Sequence, residues 1–233
     1  MIGKIHSFQS LGTVDGPGIR TVLFMQGCTL RCPYCHNPDT WKLDCGENVS
    51  VDEMISKILR FKSYFGKDGG VTVSGGEPLI QAEFVTELFK KLHQNGINTA
   101  LDTAGAIINK NTENLLNVTD LVLLDIKYSD DDKYKKYIGI PIKLPLEFLS
   151  MCEKKNISVI IRQVITEGIN DSEEDIKALK NLLSPYKNIK KIELLPFRKL
   201  CISKYEEMGV PFPFSDKNET NMSKIESLSQ LLK

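Results

Sequence analysis

The chain has 233 residues, 41% of them hydrophobic, enough for one α/β domain of good size or two small ones. Its 30 basic and 30 acidic residues cancel, so no cationic excess favours a nucleic-acid partner. No apolar run approaches the roughly 20 residues that span a bilayer, and the N-terminus lacks an apolar signal core, so a soluble, cytoplasmic protein without membrane contact is expected.

In chain order, Ile5-His6-Ser7-Phe8 lead into Gly12-Thr13-Val14-Asp15-Gly16-Pro17-Gly18-Ile19-Arg20. Three glycines and a proline in nine residues make a shaped loop rather than a helix. Glycine lets the backbone approach a ligand or peptide closely; the plainer reading is a turn before the first strand. That strand is expected over residues 20–27.

Cys28, Cys32 and Cys35 follow at spacing C-x3-C-x2-C. Three thiolates with no close fourth can hold three irons of a [4Fe–4S] cube and leave one open, whereas electron-transfer clusters usually close with four cysteines. A structural zinc site normally needs four N or S ligands. His36 directly follows Cys35 and is poorly placed to be the fourth, but Cys45 lies ten residues on. Cys32-Pro33-Tyr34-Cys35 also has the form of a redox dithiol, which leaves Cys28 unexplained. The six cysteines are not spread as a disulfide framework, and Cys45, Cys152 and Cys201 read as isolated small hydrophobes.

Apolar residues at 51, 54, 55, 58 and 59 predict a first helix ending near 65. A short buried strand at 71–74 runs into Gly75-Gly76-Glu77-Pro78. The second helix is expected at 81–94, with Gly96 as its C-terminal cap. A strand at 97–101 ends on Asp102-Thr103, a short helix covers 111–117, and a strand covers 121–127. Residues 147–155 read as helix and 157–164 as strand; Asp171-Ser172 cap a helix reaching 183. A last strand at 192–195 and a helix at 219–232 complete the pattern.

Strands alternating with helices imply a parallel sheet with right-handed crossovers. Six such units are too few for a closed barrel and fit an α/β fold that is a partial, open (β/α)6 barrel with its helices outside. No repeat or linker divides the chain, so a single domain over 1–233 is expected. In such barrels functional residues gather at the C-terminal ends of strands. Here those ends carry Cys28, Gly75-Gly76-Glu77, Asp102-Thr103, Asp125 to Lys127, Arg162-Gln163 and Arg198. One shared site above the sheet accounts for all of them. Asp102 and Asp125 need partners if buried, and Lys127 is an obvious one for Asp125.

The cysteine spacing after a first strand resembles the cluster loop of the radical S-adenosylmethionine (SAM) superfamily. Ile5-His6-Ser7-Phe8, the glycine loop, Tyr34-Cys35-His36-Asn37-Pro38-Asp39-Thr40-Trp41, Ser74-Gly75-Gly76-Glu77, Leu101-Asp102-Thr103, Leu123-Leu124-Asp125-Ile126-Lys127 and Lys191-Ile192-Glu193-Leu194-Leu195-Pro196 together resemble the pyruvate formate-lyase-activating enzyme family, over about residues 2–204. The resemblance implies a radical SAM domain without a ferredoxin-like insert. It implies a reduced [4Fe–4S] cluster on Cys28, Cys32 and Cys35 that cleaves SAM. The resulting 5′-deoxyadenosyl radical takes a Cα hydrogen from a glycine of a glycyl-radical enzyme, pyruvate formate-lyase foremost. The alternatives are activation of another glycyl-radical enzyme, or a radical SAM enzyme acting on a small molecule. Flavodoxin or ferredoxin would be the electron donor, and the free activase would be a monomer. Tyr34, Cys35, His36, Gly76, Glu77, Asp102, Asp125, Ile126, Lys127 and Arg198 would surround SAM. Asp102, Thr103, Asp125 and the carbonyl of Leu123 would offer oxygens to a monovalent cation such as Na+ or K+. Asp15, Gly16 and His36 would lie near the partner peptide. One departure stands out: Arg198 occupies the position of a family histidine, and Cys201 that of a glycine. Arginine only donates and stays charged, so it cannot titrate as histidine does.

Overall fold

A computed structural model of the chain describes residues 1–232. Six strands lie parallel: β2 (Arg20–Met25), β4 (Gly70–Gly75), β5 (Asn98–Thr103), β6 (Leu121–Asp125), β7 (Ser158–Ile165) and β8 (Ile189–Pro196). Two antiparallel strands extend the sheet, β1 (Ile2–Gly12) and β3 (Glu47–Ser50). The order is β3-β1-β2-β4-β5-β6-β7-β8, and the sheet stays open, so the six expected parallel strands form a partial barrel.

β1 precedes the strand at residues 20–27 that was expected to be the first. Its alternation is weak because half its face is exposed, and polar His6, Ser7 and Gln9 dilute the strand signal. It pairs with β2 from Ile5↔Met25 to Gly12↔Arg20, through two irregularities, and so covers what would be an open edge. The loop 13–19 then turns back. Gly18, at φ +70°, packs so closely that a Cβ there would lie 2.5 Å from the Gly69 nitrogen.

The helices are α1 (Val51–Leu59), α2 (Ala82–Gln94), α3 (Lys110–Leu116), α4 (Asp131–Ile138), α5 (Lys143–Lys154), α6 (Glu173–Leu183), α7 (Ile202–Glu207) and α8 (Met222–Gln230). α1 starts on a capping box between Ser50 and Glu53 and stops six residues short of the expected end. A separate 3₁₀ turn, Lys62–Tyr64, follows it. α5 begins four residues early because Pro145 is tolerated in a first helical turn. α4, strongly polar, and α7, only six residues long, were not expected.

The central parallel strands β2 and β4 are buried on both faces, as a helix-covered sheet requires, while β8 at the sheet's end is largely half-exposed. One apolar cluster joins them to the outer helices through Leu88, Phe89, Phe148 and Ile176. A second, aromatic cluster sits over the strand ends: Tyr34, Tyr128, Tyr134, Phe197, Tyr205, Phe212 and Phe214. Among the described residues no helix is long and apolar enough to cross a membrane.

Candidate functional site

The two glycine-containing turns at the ends of β2 and β4 are built against each other. The Gly76 N–H donates to the Met25 carbonyl at 2.9 Å and the Glu77 N–H to the Gly27 carbonyl at 2.8 Å. A Cβ on Gly76 would stand 2.2 Å from the Gly27 oxygen, so only glycine permits this contact. The start of the cysteine loop is thereby fixed to the Gly75-Gly76-Glu77 turn.

Glu77 is buried, and its oxygens are taken by protein donors: the Leu79 N–H at 3.1 Å, the Thr103 hydroxyl at 2.5 Å and the Ala104 N–H at 3.0 Å. Burial pushes its carboxyl up, with these donors opposing. Its geometry is that of a bracket between β4 and β5. The same bond occupies the Thr103 hydroxyl.

A cavity of about 300 Å³ opens beside this bracket, at the C-terminal ends of the strands. Cys28, Cys32 and Cys35 all line it, and all are free. Burial pushes Cys28 up to about 12 and Cys35 up to about 11. It raises Cys32 as well, opposed by Lys127. Left as thiols they are poor nucleophiles, so the dithiol reading finds no activated thiolate here. The indole N–H of Trp41 is buried without a hydrogen-bond acceptor and stands beside Cys35, where it favours the thiolate. A ligating sulfur would give that donor its acceptor. Three thiols on one cavity with such a donor fit a cluster bound through three cysteines. Cys45 is exposed and outside the cavity, and Cys152 lies in the main core, so neither is a fourth ligand. Among the described residues no three His, Cys, Asp or Glu side chains converge as a shell for a single ion.

The charged residues of the site form one network. Arg162, reaching inward from β7, pairs with Asp102 on β5 and, at 3.4 Å, with Asp125 on β6. Ser74 donates to the other Asp102 oxygen at 2.6 Å. Lys127 completes Asp125 at 3.0 Å. Burial alone would raise Asp125, but Lys127 and Arg162 outweigh it and hold the carboxyl below its ordinary value. Burial likewise disfavours the Lys127 cation, and Asp125 more than compensates, so Lys127 stays charged. Asp15 lines the same cavity; its carboxyl is raised by burial and by Asp102, against Arg162 and Arg20. Sequence reasoning placed Arg162 at a strand end but gave it no role. The signal was there, a guanidinium interrupting an apolar strand.

Tyr34, His36 and Gly76 line the cavity as expected. Four expected residues, Ile126, Leu123, Gly16 and Arg198, do not. Ile126 has its side chain in the main core, and its carbonyl accepts from Gln163 at 3.0 Å. Leu123 and Gly16 line a neighbouring cavity of about 1000 Å³, between the glycine loop and β8. The Arg198 guanidinium turns to the Thr220 carbonyl at 3.0 Å and to Glu219 at 3.6 Å, and only its carbonyl comes near the site, 3.0 Å from the His36 ring. The oxygens expected to hold a cation are already engaged: Asp102 and Asp125 share Arg162.

Residues 14–139 match the protein family described as a 4Fe-4S single cluster domain. The chain is 46% identical over 234 positions to the pyruvate formate-lyase-activating enzyme of Clostridium pasteurianum, covering 100% of this chain and 98% of that one. A crystallised domain of the pyruvate-formate lyase-activating enzyme from Bacteroides vulgatus ATCC 8482 superimposes with a TM-score of 0.57 at 25% identity, covering 70% of this chain and 92% of that one. A radical SAM methyltransferase from Sphaerobacter thermophilus shares the fold, with a TM-score of 0.66 at 17% identity over 91% of this chain and 63% of that one.

Proposed function

Because the chain belongs to the pyruvate formate-lyase-activating enzymes, a radical SAM family, we propose that the cavity above β2 and β4–β8 is its active site and that its glycyl-radical partner is a pyruvate formate-lyase. When bound, the [4Fe–4S] cluster and SAM supply a 5′-deoxyadenosyl radical that removes a Cα hydrogen from a glycine of the partner. The observation that carries the assignment is the meeting of three thiols, the Gly75-Gly76-Glu77 turn and the Asp125–Lys127 pair in one cavity.

Cys28, Cys32 and Cys35 are the cluster ligands, and their number leaves one iron for SAM. The amino-acid end of SAM is a zwitterion. Asp125 and Lys127 present one charge of each sign to it, and the backbone of Gly75 and Gly76 adds acceptors for its ammonium. Tyr34 and His36 close the wall beside Cys35. Asp102 would reach ribose hydroxyls only through the lone pairs that Arg162 and Ser74 leave free. A Na+ or K+ ion at Asp102, Thr103, Asp125 and the Leu123 carbonyl requires Arg162 to yield a carboxylate. Glu77 acts by fixing the turn, and Arg198 by holding His36 through its carbonyl.

The larger cavity lies between the glycine loop, Gly16 and Gly18 included, and β8, shares Arg162 with the smaller one, and takes an extended glycine-bearing segment of the partner. A flavodoxin or ferredoxin supplies the electron. The activase works as a single radical SAM domain, a monomer when free, in the cytoplasm.

Anaerobic reconstitution with iron and sulfide, reduction and EPR spectroscopy test the reading. A [4Fe–4S]+ signal that changes on SAM addition, together with a glycyl radical on added pyruvate formate-lyase, is expected. A signal indifferent to SAM would overturn it. A radical raised on another glycyl-radical enzyme and not on pyruvate formate-lyase would correct the partner alone.

A further inference from the structure

The exit of the cysteine loop is held by a segment that lies more than 160 positions further along the chain. The Lys204 ammonium, on α7, donates to Asn37 Oδ1 at 3.0 Å and to both Asp39 oxygens, at 3.1 and 3.2 Å. Asp39 also receives the His6 ring from β1 at 3.0 Å. The neighbouring Tyr205 hydroxyl donates to the Cys35 carbonyl at 3.2 Å, and its ring meets Trp41 edge-on at 5.8 Å. Lys204, Asp39 and His6 do not line the cavity, so contact with SAM does not explain them.

The cysteine loop has almost no regular structure of its own; only a 3₁₀ turn, Pro38–Thr40, ends it. Cluster ligands must keep their places closely, and the partners around them set those places. A compact ammonium bonded to three oxygens on one turn is suited to that task. The Lys204 side chain is 34% exposed and that of Asp39 27%, so their pairing adds little to global stability and acts locally.

We propose that Lys204 is a positioning residue and α7 a latch, together holding Cys35 and Trp41 where the [4Fe–4S] cluster needs them. The inference rests on the cluster assignment above. Without the ammonium, Asn37 and Asp39 lose their tie to α7, the turn after Cys35 loosens, and that ligand is the first to let go.

The test compares wild type, Lys204→Met, Lys204→Arg and Tyr205→Phe, reconstituted anaerobically. Iron release to a chromogenic ferrous chelator is followed, and each apoprotein is melted. Lys204→Met should release iron about tenfold faster than wild type, the low end for loss of a ligand-supporting contact. Lys204→Arg should fall between the two, because it keeps a cation beside Asp39 but replaces the compact ammonium by a planar fork. The apoproteins should melt within about 2 °C of one another, as expected for a partly exposed pair. If Lys204→Met melts far lower, Tyr205→Phe decides, since it removes only the bond to the Cys35 carbonyl. Faster release from it supports the latch, and wild-type release overturns it. Equal release from Lys204→Met and wild type also overturns it, while the cluster assignment survives. A wild type that takes up no cluster overturns both.

Discussion

Among single residues, Arg162 decides the electrostatics of the site. Two carboxylates at successive, largely buried strand ends would repel each other, and its guanidinium lies between them. Burial disfavours that cation, but Asp102 and Asp125 more than offset the cost and hold it charged far above working pH. Arg162→Met leaves both carboxylates without it and is expected to cost about 3–5 kcal/mol, the usual result of removing one partner from a buried ion pair. Urea unfolding of the apoprotein measures this. Arg162→Lys should recover only part, because an ammonium cannot span both acids in the way a planar fork does. The sequence marks Arg162 as a polar break in an apolar strand. Its partners stand 37 and 60 positions earlier, so only the packing of β5, β6 and β7 names them.

Among the elements, α6 was the most legible and α7 the least. Ser172 and Asp175 form a reciprocal capping box, with the Asp175 N–H donating to Ser172 Oγ at 3.1 Å and the Ser172 N–H donating back at 3.2 Å. Asp175 also receives Lys133 of α4 at 2.6 Å. Burial pushes Asp175 up, but hydrogen bonds from Lys133 and Ser172 outweigh it, and its carboxyl lies below the ordinary value. A lowered carboxylate stabilises the fold above its unfolded value and loses that contribution as pH falls through the folded one. Asp175→Asn should therefore cost about 0.5–2 kcal/mol at neutral pH and progressively less below about pH 4. Thermal melts of both proteins between neutral and acidic pH check the sign. α4 and α7 went unseen for one reason. They are short, polar and anchored by few buried side chains, Tyr134 and Ile138 in one and Tyr205 in the other. Such helices depend on docking rather than propensity.

For the molecule as a whole, the division into two apolar clusters separates folding from cofactor retention. Leu88 belongs to the cluster between sheet and helices, and Phe212 to the aromatic cluster over the cysteine loop, 4.9 Å from the Tyr205 ring and 6.2 Å from that of Phe197. Leu88→Ala should cost about 2–5 kcal/mol of stability through the cavity it leaves, with iron release from the folded protein unchanged. Phe212→Ala should cost a similar amount and also speed iron release, because Tyr205 loses the ring behind it. Urea titration paired with chelator kinetics distinguishes the two outcomes.

By itself the sequence determined the parallel strands with their helices, the three cysteines and the polar residues at the strand ends. Period, spacing and cap chemistry are local properties, and a chain carries them without its fold. Tertiary structure alone decided that the N-terminal stretch forms an antiparallel strand ahead of the expected first one. It also turned Ile126 and the Arg198 guanidinium away from the cavity, placed Arg162 between two acids, and set Lys204 against the cysteine loop. Each of these depends on which distant residues meet and on how the strands crowd them, and neither is written in any short stretch of residues.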